Sequence, residues 1–365
     1  MKEKLVFLFF LFFVASSLWA QEQEPFLTPE EIRYRDSIAA INIDARTLKE
    51  SQQAYNTGLS FFSKNQYADA IKSFQSAVKL RPDFTMAIYN LGIAQFAAKQ
   101  YKDAFKSFSV IIDKESNIKA MFKRAEVSLA MNDLDKAFED YTEILFKQPD
   151  NYKSYYEMGG IRFQQNNYND ALQMFNKAIL LNDEYAQAYN DRGSSRLMLN
   201  DMKGAISDYE KAIVLNPKLA YIYNNLGSAK KKNNDLNGAI EAYTKGISAD
   251  PNYFIAFNNR GTAHFEKGEY KEAIDDFTNC IKINTKYEIA FNNRGIAYQK
   301  LKQYEKSVQD FDAAIQINPK YATAFLNRGN TKELLFDENG ACKDWSSAEK
   351  LGQKLAEKFH QSECE

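Results

Sequence analysis

The sequence predicts an all-α fold, a linear array of antiparallel helix pairs, on three observations. Six glycines, Gly159, Gly193, Gly227, Gly261, Gly295 and Gly329, stand 34 residues apart. A fixed period of this size marks an array in which each unit buries its apolar face only against its neighbours. Within each period the apolar residues recur at helical spacing. Five of the seven prolines, Pro82, Pro149, Pro217, Pro251 and Pro319, share one phase of the period. There they end a helix, because proline has no N–H to donate and clashes with the preceding turn.

Setting each glycine as position 8 extends the phase back to Gly92 and Gly58. It defines nine units: 51–84, 85–117, 118–151, 152–185, 186–219, 220–253, 254–287, 288–321 and 322 to about 350. Length alone suggests two or three domains; the repeats predict one continuous array instead. The unit 220–253 shows the pattern. Tyr223, Leu226 and Gly227 fall on a first helix, Ala239, Ile240, Tyr243 and Gly246 on a second, and Pro251 follows. Position 8 is small because the second helix crosses there, and position 20 is small for the same reason. Position 24 is always aromatic (Phe74, Phe108, Tyr141, Phe175, Tyr209, Tyr243, Phe277, Phe311, Trp345) and fills the space that the small residues leave. Position 15, in the turn, often tolerates left-handed backbone, as in Asn65, Asn132, Asn166, Asn200, Asn234 and Gly268. The second unit is one residue short, at 33, and the third carries Ala125 for glycine, which together predict a kink.

These positions resemble the tetratricopeptide repeat pattern from residue 51 to about 350. The resemblance implies a right-handed superhelical solenoid of about nine units. It also implies a non-enzymatic scaffold for protein–protein interaction. Residues 351–365 read as a C-terminal capping helix and tail.

Residues 1–20 read as a signal peptide, with Lys2 and Lys4 ahead of the apolar run Leu5–Val14. Cleavage is expected after Ala20, in a sequence that resembles bacterial export signals. Cleavage after Ser17 is the alternative, because Leu18 is not small, and an uncleaved anchor is a third reading. No cysteine follows the run, which argues against a lipoprotein. The implied place is the periplasm or cell envelope of a Gram-negative-type bacterium, or outside the cell. Residues 21–50 are a spacer and an N-terminal capping helix, in which Thr28, Pro29 and Glu31 form a helix start near the first repeat.

Five units carry arginine at position 7: Arg124, Arg192, Arg260, Arg294 and Arg328. The same five carry aspartate at position 23: Asp140, Asp208, Asp276, Asp310 and Asp344. The two features never occur apart. They predict an ion pair between the two helices of a unit, made bidentate by the planar guanidinium. Binding of an anionic ligand is disfavoured, because each arginine already has a partner.

In the resembled family the first helices line a concave groove, with positions 2, 5, 6, 9, 12 and 13 looking inward. Position 5 is aromatic in the first four units (Tyr55, Tyr89, Phe122, Tyr156) and asparagine in the next four (Asn190, Asn224, Asn258, Asn292). Position 6 adds Asn56, Asn90, Asn225, Asn259, Asn293 and Asn327. Asparagine offers donors and an acceptor, so such a ladder can hold the backbone of an extended peptide without reading side chains. The competing reading is packing between neighbouring helices, for the asparagines and the aromatics alike. Asn90, Lys119 and Lys123 also match part of the family's carboxylate-binding pattern, whose first two places Tyr55 and Leu59 do not fit. Lys230, Lys231 and Lys232 form a basic knot read as a solvated face.

Lys plus Arg is 47 and Asp plus Glu is 48, so the net charge is −1 and no basic stripe points to nucleic acid. Cys280 takes a small packing position and reads as a buried free thiol. Cys342 and Cys364 are brought close if the chain turns back after Leu351-Gly352, and an exported protein would join them in a disulfide. Reduced cysteines are the alternative. His264 and His360 stand in no cluster with metal-ligand spacing, and no nucleophile elbow or phosphate loop is present. No catalytic residue, cofactor or metal is assigned. The expected function is capture of a protein or extended peptide in the groove. The alternatives are a structural, self-associating envelope component and a glycan-binding module using Tyr55, Tyr89 and Tyr156.

Overall fold

The computed structural model describes residues 45–364. The signal peptide and the helix start at Thr28 lie outside the described residues. Among the described residues there are nineteen helices and no strand. They fall into two compact units, one up to Leu181 and one from Asn182.

The first unit holds four repeats. They are α1 (Ala45–Ser63) with α2 (Tyr67–Leu80), α3 (Thr85–Ala97) with α4 (Tyr101–Glu115), α5 (Ile118–Ala130) with α6 (Leu134–Lys147), and α7 (Tyr152–Gln164) with α8 (Tyr168–Leu181). Helix α1 starts six residues before the first repeat's expected boundary, continuing through an Arg46–Glu50 pair one turn apart. The shortened second repeat takes no proline stop. Instead α4 runs to Glu115 and ends on Ser116 in left-handed backbone, φ 49°.

The second unit holds five repeats and a cap. The pairs are α9 (Ala186–Met198) with α10 (Met202–Leu215), α11 (Ala220–Lys232) with α12 (Leu236–Ala249), and α13 (Phe254–Glu266) with α14 (Tyr270–Ile283). Then come α15 (Glu288–Lys300) with α16 (Tyr304–Ile317), and α17 (Ala322–Leu334) with α18 (Glu338–Lys350). Helix α19 (Lys354–Glu363) closes the array. Within each unit, each pair packs within itself and against the next, the nearest-neighbour logic of a repeat protein. In this unit the first helices of neighbouring repeats also touch one another, while neighbouring second helices make no comparable approach. The first helices therefore line the inner side of the unit.

The core of each repeat is one aromatic ring seated on one glycine, or on Ala125 in the third repeat. A Cβ on Gly227 would come within 2.5 Å of the Tyr243 ring, and one on Gly58 within 2.6 Å of Phe74. All nine position-24 rings are fully buried, as are the small residues at position 20. Tyr209 and Tyr243 keep their hydroxyls satisfied through position 9, on Ser194 at 3.0 Å and Ser228 at 3.2 Å. Trp345 donates to Asn330 at 2.8 Å in the same way.

Second helices begin with side-chain caps where position 16 is aspartate: Asp133, Asp201, Asp235 and Asp337 each accept from a backbone N–H of the first turn. The preceding turn is left-handed in all nine repeats. The expected asparagines and Gly268 are there, but so are Lys99, Lys302 and Phe336, the last almost fully exposed. The turn geometry overrides residue preference at those three positions.

At the far end, Cys342 and Cys364 form a disulfide with Cα atoms 5.7 Å apart. It ties α19 back onto α18, where Phe359 stacks on Trp345 at 5.5 Å and Ala356 is buried. Cys280 is a buried free thiol. Among the described residues no helix is long and apolar enough to cross a membrane, and no group of residues could hold a metal ion.

Candidate functional site

The arginine–aspartate pairs are joints between helices. Arg260 meets Asp276 at 2.6 Å through two nitrogens, and Arg124, Arg192 and Arg294 meet Asp140, Asp208 and Asp310 at 2.6, 2.6 and 2.7 Å. Arg328 pairs with Asp344 likewise. The Asp276 side chain is only 5% exposed, so it needs partners within the fold, and His264 Nε2 stands 3.9 Å from it as well. Burial works against the Arg124 and Arg294 charges, but Asp140 and Asp310 outweigh it and hold both guanidiniums charged. A third arm was not foreseen. Nη1 of Arg124, Arg260, Arg294 and Arg328 reaches position 25 of the preceding repeat, on Ser109, Thr244, Thr278 and Asp312. Its signal in the sequence is a polar residue at position 25 of the repeat before, across the unit boundary.

The asparagine ladder exists, in a different arrangement from the one expected. Asn190, Asn224, Asn258 and Asn292, at position 5, are buried. Their side-chain carbonyls accept from position 6 of the following repeat. Asn225 donates to Asn190 at 3.0 Å, Asn259 to Asn224 at 2.8 Å, Asn293 to Asn258 at 3.1 Å and Asn327 to Asn292 at 2.9 Å. Position 5 points into the seam between first helices, where a polar group needs a partner. The member that remains half-exposed on the inner side is position 6. The four inter-repeat bonds all run in one direction, from later repeat to earlier.

The first unit solves the same seam with rings. Tyr55 is 3% and Tyr156 8% exposed, while Tyr89 and Phe122 are half-buried. Each lies on the position-24 ring of its own repeat, at 5.7 Å for Tyr55–Phe74, 5.5 Å for Tyr89–Phe108, 5.7 Å for Phe122–Tyr141 and 5.8 Å for Tyr156–Phe175. Burial pushes the Tyr55 phenol up to about 12, against the opposing effect of Asn90. Such rings are packing groups, not the solvent-facing platforms that a glycan would need. Asn90 is buried and donates to the Tyr55 hydroxyl at 2.7 Å. Lys123 pairs with Glu126 at 3.0 Å, and Lys119 is exposed. The partial carboxylate-binding pattern is thus not assembled, because Asn90 is turned into the seam. The basic knot is likewise engaged. Lys230 faces Glu210 at 3.5 Å, Lys231 faces Glu266 at 2.7 Å, and Lys232 donates to the Leu197 carbonyl. His264 bonds Glu269 at 2.6 Å and His360 bonds Glu349 at 3.0 Å.

Models of the tetratricopeptide repeat match residues 254–287 and 289–321, residues 152–185 and residues 86–117. A further TPR repeat model matches 58–99, 193–234 and 228–268. No curated protein matches the chain. Among solved structures, a tetratricopeptide repeat protein from Parabacteroides merdae is 17% identical, with TM-score 0.53, covering 68% of this chain and 99% of its own. The APC/C hetero-tetramer Cut9–Hcn1 is 14% identical, with TM-score 0.53, covering 89% of this chain and 78% of its own. MamA is 29% identical, with TM-score 0.42, covering 44% of this chain and 95% of its own. The first two share the fold. The chain belongs to the tetratricopeptide repeat family, whose members are protein-interaction scaffolds.

Proposed function

We propose that this protein is an exported, non-enzymatic scaffold that holds an extended segment of a partner protein on the inner face of its second unit. The observation that carries the reading is the row of position-6 amides: Asn225, Asn259, Asn293 and Asn327. Each uses one N–H to reach the preceding repeat and stays half-exposed. A second N–H remains on each, suited to a peptide carbonyl of any sequence. Export rests on residues 1–20, and N-terminal sequencing of the processed protein should find Gln21 first.

The test of binding is a pull-down from envelope extract with the wild type and with Asn225→Ala, Asn259→Ala and Asn293→Ala combined. Circular dichroism verifies that the variant stays folded. Loss of the captured partner supports the reading, and an unchanged set of partners refutes it.

A second reading, assembly through the outer face, is favoured by Phe146 and Leu180, which are 87% and 77% exposed at the same position of neighbouring second helices. Isolated apolar residues are ordinary on surfaces, but aligned ones mark contact patches. Concentration-dependent scattering that disappears in Phe146→Ser would favour it.

A further inference from the structure

The amide row recurs once per repeat, and that interval restricts which backbone can follow it. Packed helices lie about 8–10 Å apart, so neighbouring position-6 amides recur at about that interval. A polyproline II helix rises about 3.1 Å per residue with three residues per turn, so the same face returns after about 9.3 Å. A β-strand covers a similar distance in three residues, but its side chains alternate with a period of two. Along a strand, every second amide would meet the opposite face. A polyproline II backbone makes no internal hydrogen bonds, so its carbonyls remain available to donors.

A second feature repeats in register. One helical turn before Asn225, Asn259 and Asn293, on the same face of the helix, stand Tyr221, Ile255 and Ile289, all half-buried, while Thr323 takes that place before Asn327. They offer apolar contact at the interval of the amides. A ligand matching both rows presents a carbonyl to each asparagine and an apolar side chain to each position-2 residue.

We infer that the second unit takes a polyproline II segment with an apolar residue at every third position. This rests on the proposal that the inner face holds an extended peptide. The test is calorimetric titration of the full chain with synthetic peptides about 15 residues long. One repeats Leu-Pro-Pro, one repeats Leu-Pro-Pro-Pro, and one alternates Val and Thr. The Leu-Pro-Pro peptide should bind at least about tenfold tighter than either of the others. That preference should vanish in Ile255→Glu with Ile289→Glu, a pair outside the asparagine ladder. Equal or tighter binding of the Val-Thr peptide overturns the polyproline II assignment and leaves peptide capture standing. Equal binding of the Leu-Pro-Pro-Pro peptide overturns the three-residue register. If no peptide binds, the assignment fails. An asparagine-dependent pull-down would then still preserve the broader reading, and an unchanged pull-down would remove both.

Discussion

The two units build the same seam between first helices from opposite chemistry. In the first, rings at position 5 fold onto their own repeat's core, and Asn90 reaches the Tyr55 hydroxyl. In the second, buried asparagines accept from asparagines of the next repeat. The ring solution is non-directional and closes the surface. The amide solution is directional and leaves hydrogen-bonding capacity on the inner side. The difference shows that one backbone pattern can carry either a sealed wall or a polar track, according to one position.

That comparison can be broken most severely at the ion pairs. Arg260→Leu should cost about 3–5 kcal/mol, because Asp276 is left buried with only the more distant His264 Nε2, at 3.9 Å, beside it. Adding Asp276→Leu should restore most of it, since repeats one and two manage the joint without charge. Hydrogen exchange across α13 and α14 reads both, and equal losses in the single and double variants would falsify the coupling. Next is the cap. Cys364→Ser opens a closed loop of 22 residues, which the chain-entropy model values at about 3 kcal/mol. Exchange protection should fall in α19 and not in α13, and the wild-type band should shift on reduction in a non-reducing gel.

Smaller effects separate the cores. Gly227→Val should cost about 1–3 kcal/mol by overpacking against Tyr243. The third repeat already accepts Ala125, so Ala125→Gly should cost only about 1 kcal/mol in helix propensity. At the seam itself, Tyr55→Phe leaves the buried Asn90 amide without its acceptor and should cost about 1–2 kcal/mol. Asn258→Ala strips partners from both Asn259 and Asn293 and should cost more, within about 1–3 kcal/mol.

The smallest effect concerns Cys280, whose thiol burial raises to about 12. The folded chain keeps that proton where the unfolded chain, with an ordinary thiol near 8.5, releases it. Stability from this group is present below about pH 8.5 and declines as pH rises toward the folded value. Alkylation by iodoacetamide at pH 8 should therefore be negligible until the protein unfolds. Rapid labelling of the native chain would show that the thiol is accessible.

Much of this was legible in the sequence for a physical reason. Gly227 and Tyr243 can be matched because steric complementarity recurs in phase, and Arg260 and Asp276 because opposite charges rise and fall together. The third guanidinium arm is not legible within one repeat because its partner, Thr244, belongs to the repeat before. Asn258 misled because an amide suits a wet groove and a dry seam equally. Only the position of the neighbouring helix decides between them. Lys302 and Phe336 gave no sign of left-handed backbone, since a tight turn between two packed helices dictates φ there.

The backward reach of the arginines has a consequence for how the array is made. A chain is synthesised from its N-terminus and its segments fold in that order. Thr244 exists before Arg260, Thr278 before Arg294, and Asp312 before Arg328. Each new repeat arrives with its own aspartate soon to follow and finds the anchor for its third arm already in place. Removing the last repeat whole takes Arg328 and Asp344 together, and of that joint it leaves only the exposed Asp312. Whole repeats can be added or removed at that end without splitting an arginine–aspartate pair.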